Sequence, residues 1–268
     1  MRPFEYASPA SVEEAITLLG QDGDGAFRPL ARVQPLAGGT DLLTLMKADV
    51  AAPSRLVNVK RLDGLTGSIQ ETAAGLTLGS LTTLAEIETS ATIKQRYPVL
   101  AEAASLAATP QLRNMATIGG NLLQRPRCWY FRNPRIQCWL KGGDDCPARD
   151  GENQFHALFG ESPCVAVHPS DPASALLALD ADVRLRGPSG ERILPLAGFF
   201  AMPEEERRTE TVLRRDELVV SIDVPSLPDG TRSTYLKAMD RKVWAFALAG
   251  VAAVLARTAV AWRPRAWS

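Results

Sequence analysis

The stretch PLAGGTDLL, residues 35–43, decides how this chain folds. Its two adjacent glycines permit positive φ and leave bare backbone that a ligand can approach closely. Thr40 and Asp41 stand where the N-cap of the next helix is expected, so the free amide groups of that helix point into the turn. Such a turn can hold a phosphate, although a tight strand-to-helix connection without a ligand has the same pattern.

A second stretch, ATIGGNLLQ at residues 116–124, has the same design. Thr117 supplies a hydroxyl before the Gly-Gly pair, and Asn121 stands where a helix N-cap is expected. Neither stretch has the G-x-G-x-x-G spacing of a Rossmann loop or the G-x-x-x-x-G-K-[ST] spacing of a P-loop. The two turns could close on one pyrophosphate from two subdomains, but their spacing alone does not decide this.

The remaining pattern predicts an α+β fold, because short helices and strands mix without strict alternation. Ser11, with Glu14 three residues later, predicts the N-cap of a first helix. A later hairpin is expected to lead into a helix capped near Ser80 or Thr82. The run at residues 235–256 predicts a strand that enters a buried helix.

The composition is that of an ordinary globular protein. Of 268 residues, 46% are hydrophobic and 22% charged, and 30 basic residues balance 30 acidic ones. Zero net charge argues against a nucleic-acid partner. The N-terminal stretch has no apolar signal-peptide core, and no run approaches the length of a membrane span. We therefore expect a cytoplasmic chain without a membrane span, or a periplasmic one if a partner carries the export signal.

All four cysteines lie in one stretch without clear periodicity, at about residues 125–165. They lack the close pairs of a structural zinc site and the C-x-x-C of a redox motif. Disulfides are poorly motivated in a chain that is large enough to build a core. Four thiolates on an irregular loop can enclose an iron–sulfur cluster. The alternatives are a zinc-bracketed scaffold and four unrelated buried cysteines.

Four motifs, in the same order, resemble the FAD-binding medium subunit of the molybdenum hydroxylases, the family of xanthine dehydrogenase, carbon monoxide dehydrogenase and aldehyde oxidoreductase. They are PLAGGTDLLTLMK, QLRNMATIGGNLLQ, HPSDPASALLALDADVRL and DELVVSIDVP. The resemblance implies a flavin domain of the vanillyl-alcohol-oxidase type. It divides the chain into two FAD-binding subdomains, 1–60 and 61–212, and a small C-terminal domain, 213–268. The last domain is expected to be incomplete, because the chain departs from the family after AFALAGVAAVL.

The resemblance also implies the site residues. The FAD phosphates and ribityl chain would be held by Pro35, Leu36, Ala37, Gly38, Gly39, Thr40, Asp41, Leu42, Thr117, Gly120 and Asn121. Asp171 would lie against the cofactor, Leu218 would cover the isoalloxazine ring, and Lys237 would reach the flavin. From the residues alone, Asp171 can instead be an N-cap, Leu218 a core residue and Lys237 a solvated lysine.

The stretch NLLQRPRCWYF, followed later by CVAVHPSD, resembles the periplasmic-type aldehyde oxidoreductase branch, which carries a 4Fe–4S insertion. The resemblance implies a 4Fe–4S cluster on this chain in addition to FAD. Its ligands would be Cys128, Cys138, Cys146 and Cys164. His156 and His168 are alternative ligands, although both are expected to serve the fold.

The function implied is that of an electron-transfer subunit without catalytic residues of its own. Electrons would come from a molybdenum-cofactor large subunit through a 2Fe–2S small subunit, in a heterotrimer or its dimer, and would leave to an external acceptor. The alternative is a stand-alone flavin oxidase. That alternative needs a base facing the substrate, and two histidines in the whole chain leave little room for one.

Overall fold

The computed structural model of the chain describes residues 1–22 and 30–256. A parallel three-stranded sheet comes first, with strands β1 (Glu5–Ala7), β2 (Val33–Leu36) and β3 (Arg55–Asn58) in the order β1-β3-β2. Helix α1 (Val12–Leu19) precedes β2, and helix α2 (Leu42–Lys47) connects β2 with β3. The carboxyl end of β2 therefore runs directly into the first glycine turn.

Helix α1 begins as its sequence predicts. The Ser11 hydroxyl accepts a hydrogen bond from the Glu14 amide at 3.2 Å, and the Glu14 carboxylate accepts one from the Ala10 amide at 2.9 Å. These bonds satisfy amide groups that the helix itself leaves open. The apolar face of α1 is buried against the parallel sheet.

A second, antiparallel sheet has the strand order β4-β5-β8-β6-β7. Its strands are β4 (Ile69–Thr72), β5 (Gly75–Gly79), β6 (Asp182–Gly187), β7 (Gly190–Pro195) and β8 (Leu218–Pro225). Between β5 and β6 lie the helices α3 (Leu84–Thr89), α4 (Ala91–Arg96), α5 (Pro98–Leu106), α6 (Pro110–Arg113), α7 (Ile118–Leu122) and α8 (Asp171–Ala178). Helix α9 (Leu196–Phe199) follows β7. The main apolar core lies between this sheet and helices α5 and α8.

The cap of α3 differs from the sequence expectation. Thr83, and not Ser80 or Thr82, is the N-cap, and it forms a capping box with Glu86. Thr82 instead donates its hydroxyl to the Ser68 carbonyl. Three hydroxyl residues in a run of four make the cap ambiguous in sequence, and only Thr83 has an acidic residue three positions on.

The predicted division at residues 60 and 212 stays a prediction. Strand β8 pairs with β5 and β6 in the second sheet. Beyond it, β9 (Arg232–Ala238) and β10 (Ala249–Leu255) form an antiparallel pair. Contacts of β9 with α5, and of β10 with α8, attach this pair to the main core.

The expected buried helix within residues 235–256 is wrong. Residues 249–255 form strand β10, and Trp244 lies in the connection before it, exposed and with φ of 52°. An apolar run of this length fits either a strand or a helix, and periodicity cannot separate the two. Pairing with β9 decides the outcome, because it runs along all seven residues of β10 and gives hydrogen-bond partners to the backbone groups on one edge of the strand.

The cysteine-bearing stretch is irregular, as expected, apart from one short 3₁₀ turn at Trp139–Lys141. It has a small core of its own, in which Phe131 and Trp139 pack against residues of α2 and β3. The Trp139 indole N–H donates to Glu205 at 2.9 Å. The stretch therefore packs directly against the subdomain that carries the first glycine turn. Within the described ranges, no helix has the length and apolar character of a transmembrane segment.

Candidate functional site

The two glycine turns meet at one cavity of about 300 Å³. Most of the predicted flavin-binding residues line it: Pro35, Ala37, Gly38, Gly39, Thr40, Asp41, Leu42, Thr117, Gly120, Asn121 and Leu218. Leu36 does not line it, and packs instead against the core of the cysteine stretch. The two glycine turns thus share one cavity, whose wall also includes large apolar and charged side chains.

Glycine is required where the two turns touch. A Cβ atom on Gly38 would lie 1.7 Å from the Met115 carbonyl oxygen, and one on Gly119 would lie 2.9 Å from the Ser80 Cβ. Gly39 has φ of 71°, which side chains disfavour. The close approach of the two backbones at Gly38 joins the turns into a single site.

Backbone amides of the first turn are free to bind an anion. None of the hydrogen bonds between described residues uses the backbone N–H of Gly39, Thr40 or Asp41. These groups directly precede α2 in the chain. A phosphate placed here would receive several N–H hydrogen bonds and the favourable end of the helix dipole.

The caps of α2 and α7 differ from the sequence expectation. Asp41 occupies the N-cap position of α2 but makes no capping hydrogen bond. Thr117 caps α7 by accepting from the Gly120 amide at 3.2 Å. Asn121, expected to be that cap, lies inside α7 and accepts a hydrogen bond from the Ser170 hydroxyl. Both residues are good cap formers, so composition alone cannot rank them.

Asp41 contacts the cysteine-bearing stretch instead. Its Oδ1 accepts from Arg127 Nη1 at 2.6 Å and from Arg132 Nη2 at 2.7 Å, and its Oδ2 accepts from the Arg125 amide at 2.9 Å. Burial pushes the pKa of Asp41 upward, but the two guanidinium groups and the amide outweigh it, so the pKa lies below its ordinary value. The carboxylate is therefore ionised and neutralised by its neighbours.

Asp171 and Lys237 do not line the cavity. Lys237 Nζ lies 2.8 Å from Asp171 Oδ2 and donates to the Leu106 carbonyl at 3.0 Å, and the Tyr235 hydroxyl donates to Asp171 Oδ1 at 2.7 Å. Both charged side chains are buried, at 6% and 1% exposure. Burial raises the pKa of Asp171, and Lys237 and Tyr235 partly offset that rise. The pair holds β9 against the start of α8.

Asp171 is also not the cap of α8. The Ser170 hydroxyl accepts from the Ala173 amide at 3.0 Å, so Ser170 is the N-cap and Asp171 the first helical residue. Leu218 is both a core residue and part of the cavity wall, which makes its two interpretations compatible.

Sequence reasoning missed several charged residues of the cavity wall. Arg125, Arg214 and Arg215 line it, together with Glu210 and Glu217. For Glu210, Arg214, Arg215 and Glu217 the sequence shows only a group of charges before a strongly apolar strand, a pattern that solvated turns share. Glu210 pairs with Arg125 at 3.3 Å, and burial raises its pKa.

His168, expected to serve the fold, also lines the cavity. Its Nε2 lies 3.1 Å from the Leu122 carbonyl, and its ring packs against Phe200. Burial lowers its pKa to about 4, so the imidazole is neutral at pH 7. His156 packs edge-on against Trp129 with ring centroids 5.2 Å apart.

All four cysteines are free thiols, of which Cys138 and Cys164 are buried and Cys128 and Cys146 half-buried. Cys146 lies near enough to the other three to contribute to the rise in their pKa. Backbone amides partly offset the effect of burial on the thiol pKa values: those of Tyr130 and Phe131 for Cys128, those of Leu140 and Lys141 for Cys138, and that of Ala166 for Cys164. Amide donors directed at sulfur stabilise thiolate charge, as an iron–sulfur site requires.

Burial raises the pKa of three of these thiols, that of Cys164 to about 12. Without a metal they are protonated at pH 7, and metal binding would displace the protons. Within the part of the chain that the structure describes, no three His, Cys, Asp or Glu side chains come together as ligands of one metal ion. A single zinc ion would hold its sulfur ligands about 3.8 Å apart. A cluster binds each cysteine to a different iron and so fits more widely spaced sulfurs.

Two bare-backbone turns that close on one cavity define a dinucleotide-binding protein, and the comparisons with known proteins give its family. Residues 2–227 match the family described as the FAD binding domain in molybdopterin dehydrogenase. The chain belongs to this family of FAD-binding subunits of molybdenum hydroxylases.

Two relatives illustrate the match. The aldehyde oxidoreductase FAD-binding subunit PaoB of Escherichia coli (strain K12) is 40% identical over 223 residues, covering 82% of this chain and 70% of the relative. The carbon monoxide dehydrogenase medium chain of Hydrogenophaga pseudoflava is 32% identical over 95% of this chain and 70% of the relative.

A solved structure gives the same result for the fold. A chain of carbon monoxide dehydrogenase from Hydrogenophaga pseudoflava superposes with a TM-score of 0.70 at 31% identity, covering 96% of this chain and 70% of that one. The mixed α and β fold expected from the sequence is thereby confirmed, and so is the family.

Proposed function

We propose that the chain is the FAD-binding electron-transfer subunit of a molybdenum-containing hydroxylase of the aldehyde oxidoreductase or xanthine dehydrogenase type. The observation that carries this is the single cavity at which the two glycine turns meet. Bound FAD would supply the redox chemistry, since a flavin can accept electrons one at a time from an iron–sulfur centre and release them singly or in pairs. The chain itself binds the cofactor, orients it and sets its electrostatic surroundings.

The residues of the cavity have separable tasks. The free amides of Gly39 and Thr40 bind the pyrophosphate, and Thr117 and Gly120 approach it from the second turn. Leu218 presents an apolar surface to the isoalloxazine ring and excludes water from it. Asp171 and Lys237, whose contact with flavin the resemblance implies, are assigned here to docking β9 on α8.

We also propose a 4Fe–4S cluster held by Cys128, Cys138, Cys146 and Cys164. Support comes from four free thiols, of which Cys138 and Cys164 are buried, from backbone amides that lower the thiol pKa values against the effect of burial, and from Lys141, whose charge lies near Cys128 and Cys138. Four thiolates carry more negative charge than a buried site tolerates alone, so these donors and this cation stabilise the ligand set.

The partners proposed are a molybdenum-cofactor large subunit and a 2Fe–2S small subunit, in a heterotrimer or its dimer. Support comes from the relatives that are named as medium chains or FAD-binding subunits of such enzymes. The chain spans about 70% of the length of the first two relatives, so its contacts with partners rest on this proposal.

Analysis of the purified chain tests both cofactors. We expect FAD to be released on denaturation, and iron and acid-labile sulfide near four of each per chain. Cys138→Ser should lose iron and sulfide. A folded, colourless and iron-free chain would overturn both assignments, and zinc without sulfide would support the scaffold alternative.

A second experiment separates the subunit from a stand-alone oxidase. In the purified chain the flavin should stay oxidised when an aldehyde is added. In a preparation containing a molybdenum partner, the same aldehyde should bleach the flavin absorbance. Bleaching by the isolated chain would favour the oxidase.

A further inference from the structure

We propose that Asp41 is a positioning residue that couples the two cofactor sites, so that cluster assembly strengthens flavin binding and flavin strengthens the cluster. The inference rests on the proposed function, since it requires both cofactors on this chain. It follows from the position of the Asp41 carboxylate, which lies between the backbone amides proposed to bind phosphate and the turn that carries Cys128.

Asp41 belongs to both sites. Its backbone N–H is one of the free amides of the first glycine turn, and it lies on the cavity wall. Its side chain, at 15% exposure, is turned to the cysteine stretch and pairs with Arg127 and Arg132. One residue thus joins groups that bind different cofactors.

Arg127 and Arg132 are both attached to the turn that carries Cys128. Arg127 directly precedes Cys128, and the Arg132 amide donates to the Cys128 carbonyl at 3.0 Å. The Arg132 guanidinium also donates to the carbonyls of Pro126 and Arg125, at 2.8 and 3.0 Å. A displacement of the Cys128 turn therefore withdraws both guanidinium groups from Asp41.

The negative charge of Asp41 determines whether the cluster strengthens or weakens FAD binding. With the arginines in place, Asp41 is neutralised and does not oppose a pyrophosphate on the neighbouring amides. When the cluster is absent, the Cys128 turn loses its anchor, and Asp41 becomes an unpaired carboxylate beside two phosphate charges. Like charges in a partly buried site repel strongly. Because coupling between two binding equilibria is reciprocal, bound flavin must favour the cluster by the same factor.

A four-variant comparison tests this. The FAD dissociation constant is measured by quenching of flavin fluorescence in the full chain, for wild type, Cys146→Ser, Asp41→Asn and the double variant. In wild type, loss of the cluster through Cys146→Ser should weaken FAD binding about tenfold. In the Asp41→Asn background the same loss should change it less than about twofold, because a neutral amide does not repel the pyrophosphate.

The decisive comparison is between the two cluster-free proteins. Asp41→Asn with Cys146→Ser should bind FAD more tightly than Cys146→Ser alone, a rescue that a merely structural role for Asp41 would not produce. The matched control is Asp49→Asn, which makes the same change in an exposed carboxylate just beyond α2. It should leave the tenfold cluster dependence intact.

Arg132→Gln gives a second route if Asp41→Asn does not fold. With its cluster present, this variant should already bind FAD several-fold more weakly than wild type. Equal cluster dependence with and without the Asp41→Asn substitution, with both cofactors present in wild type, would overturn this inference alone. A wild-type chain without iron and sulfide would overturn the cluster assignment and, with it, this coupling.

Discussion

Single residues fix the geometry of the flavin cavity, and Gly38 is the most restrictive of them. Its backbone lies so close to the Met115 carbonyl that a methyl group cannot be added without moving one turn from the other. The restriction is not conformational, since Gly38 does not have positive φ. It comes from the contact between two segments that are far apart in sequence.

Gly38→Ala should therefore weaken both the fold and FAD binding. Overpacking of this kind costs about 1–3 kcal/mol, which urea denaturation would detect. The control is Gly198→Ala, because a Cβ there meets no atom within 4 Å. If the Gly38→Ala variant were as stable and as flavin-loaded as the Gly198→Ala variant, the close contact would be contradicted.

His168 gives the cavity a pH dependence. Its pKa is about 4 in the folded protein against an ordinary value of 6.5, because burial disfavours the charged ring. The unfolded chain therefore binds more protons between these values, so stability present above pH 6.5 is lost as the pH falls toward 4. The loss from this group is about 3 kcal/mol at most.

Comparison with His168→Gln isolates that effect. The glutamine amide can still donate to the Leu122 carbonyl, but it does not titrate. The wild-type free energy of unfolding should fall relative to that of the variant between pH 6.5 and 4, while their difference stays constant above pH 7. Parallel pH profiles throughout would show that the imidazole is not shielded from water.

At the scale of elements, the buried Asp171–Lys237 pair attaches β9 to α8. Lys237→Met should leave the Asp171 carboxylate buried without its cation, which typically costs about 3–5 kcal/mol. Adding Asp171→Asn should recover part of that loss. Lys242→Met, at an exposed site in the β9–β10 connection, is the control.

The same variants test the role that the family resemblance implies for Lys237. If Lys237 reached the flavin, Lys237→Met would alter the flavin absorbance spectrum in a protein of unchanged stability. Loss of stability with an unchanged spectrum supports the docking role.

The elements that could be predicted are those fixed by local patterns. The start of α1 could be predicted, because Ser11 and Glu14 form a cap within one turn of the chain. Strand β10 was not, since its partner β9 decides its conformation. The Asp171–Lys237 pair was invisible for the same reason: each residue has an ordinary local role, and only the fold brings the two together. The sequence predicts both glycine turns, but only the structure shows that the two turns come into contact at Gly38.

On the scale of the whole molecule, the cavity joins two sheets through two turns, so a ligand that fills it should stabilise both subdomains. Saturating FAD, at about 100 times its dissociation constant, should contribute about 2.7 kcal/mol. This corresponds to a rise in Tm of about 5 °C or more for a chain of this size.

Riboflavin is the matched control ligand, because it has the ring but not the pyrophosphate. It should raise the Tm of the apo-flavin chain much less than FAD does, since the free amides of the first turn remain without an anion. Equal shifts for both ligands would show that the turns do not bind phosphate.

The two ends of the cysteine stretch lie side by side, where α7 ends and α8 begins. The Leu122 carbonyl contacts His168, and Asn121 contacts Ser170, so the chain leaves the flavin domain and returns to it at nearly one point. The stretch could therefore be removed without changing the path of the chain between α7 and α8, but its removal would expose the residues of α2 and β3 that Phe131 and Trp139 cover. Removal of the stretch would also leave Asp41 without Arg127 and Arg132, so a chain that lacks the stretch should carry a neutral residue at position 41.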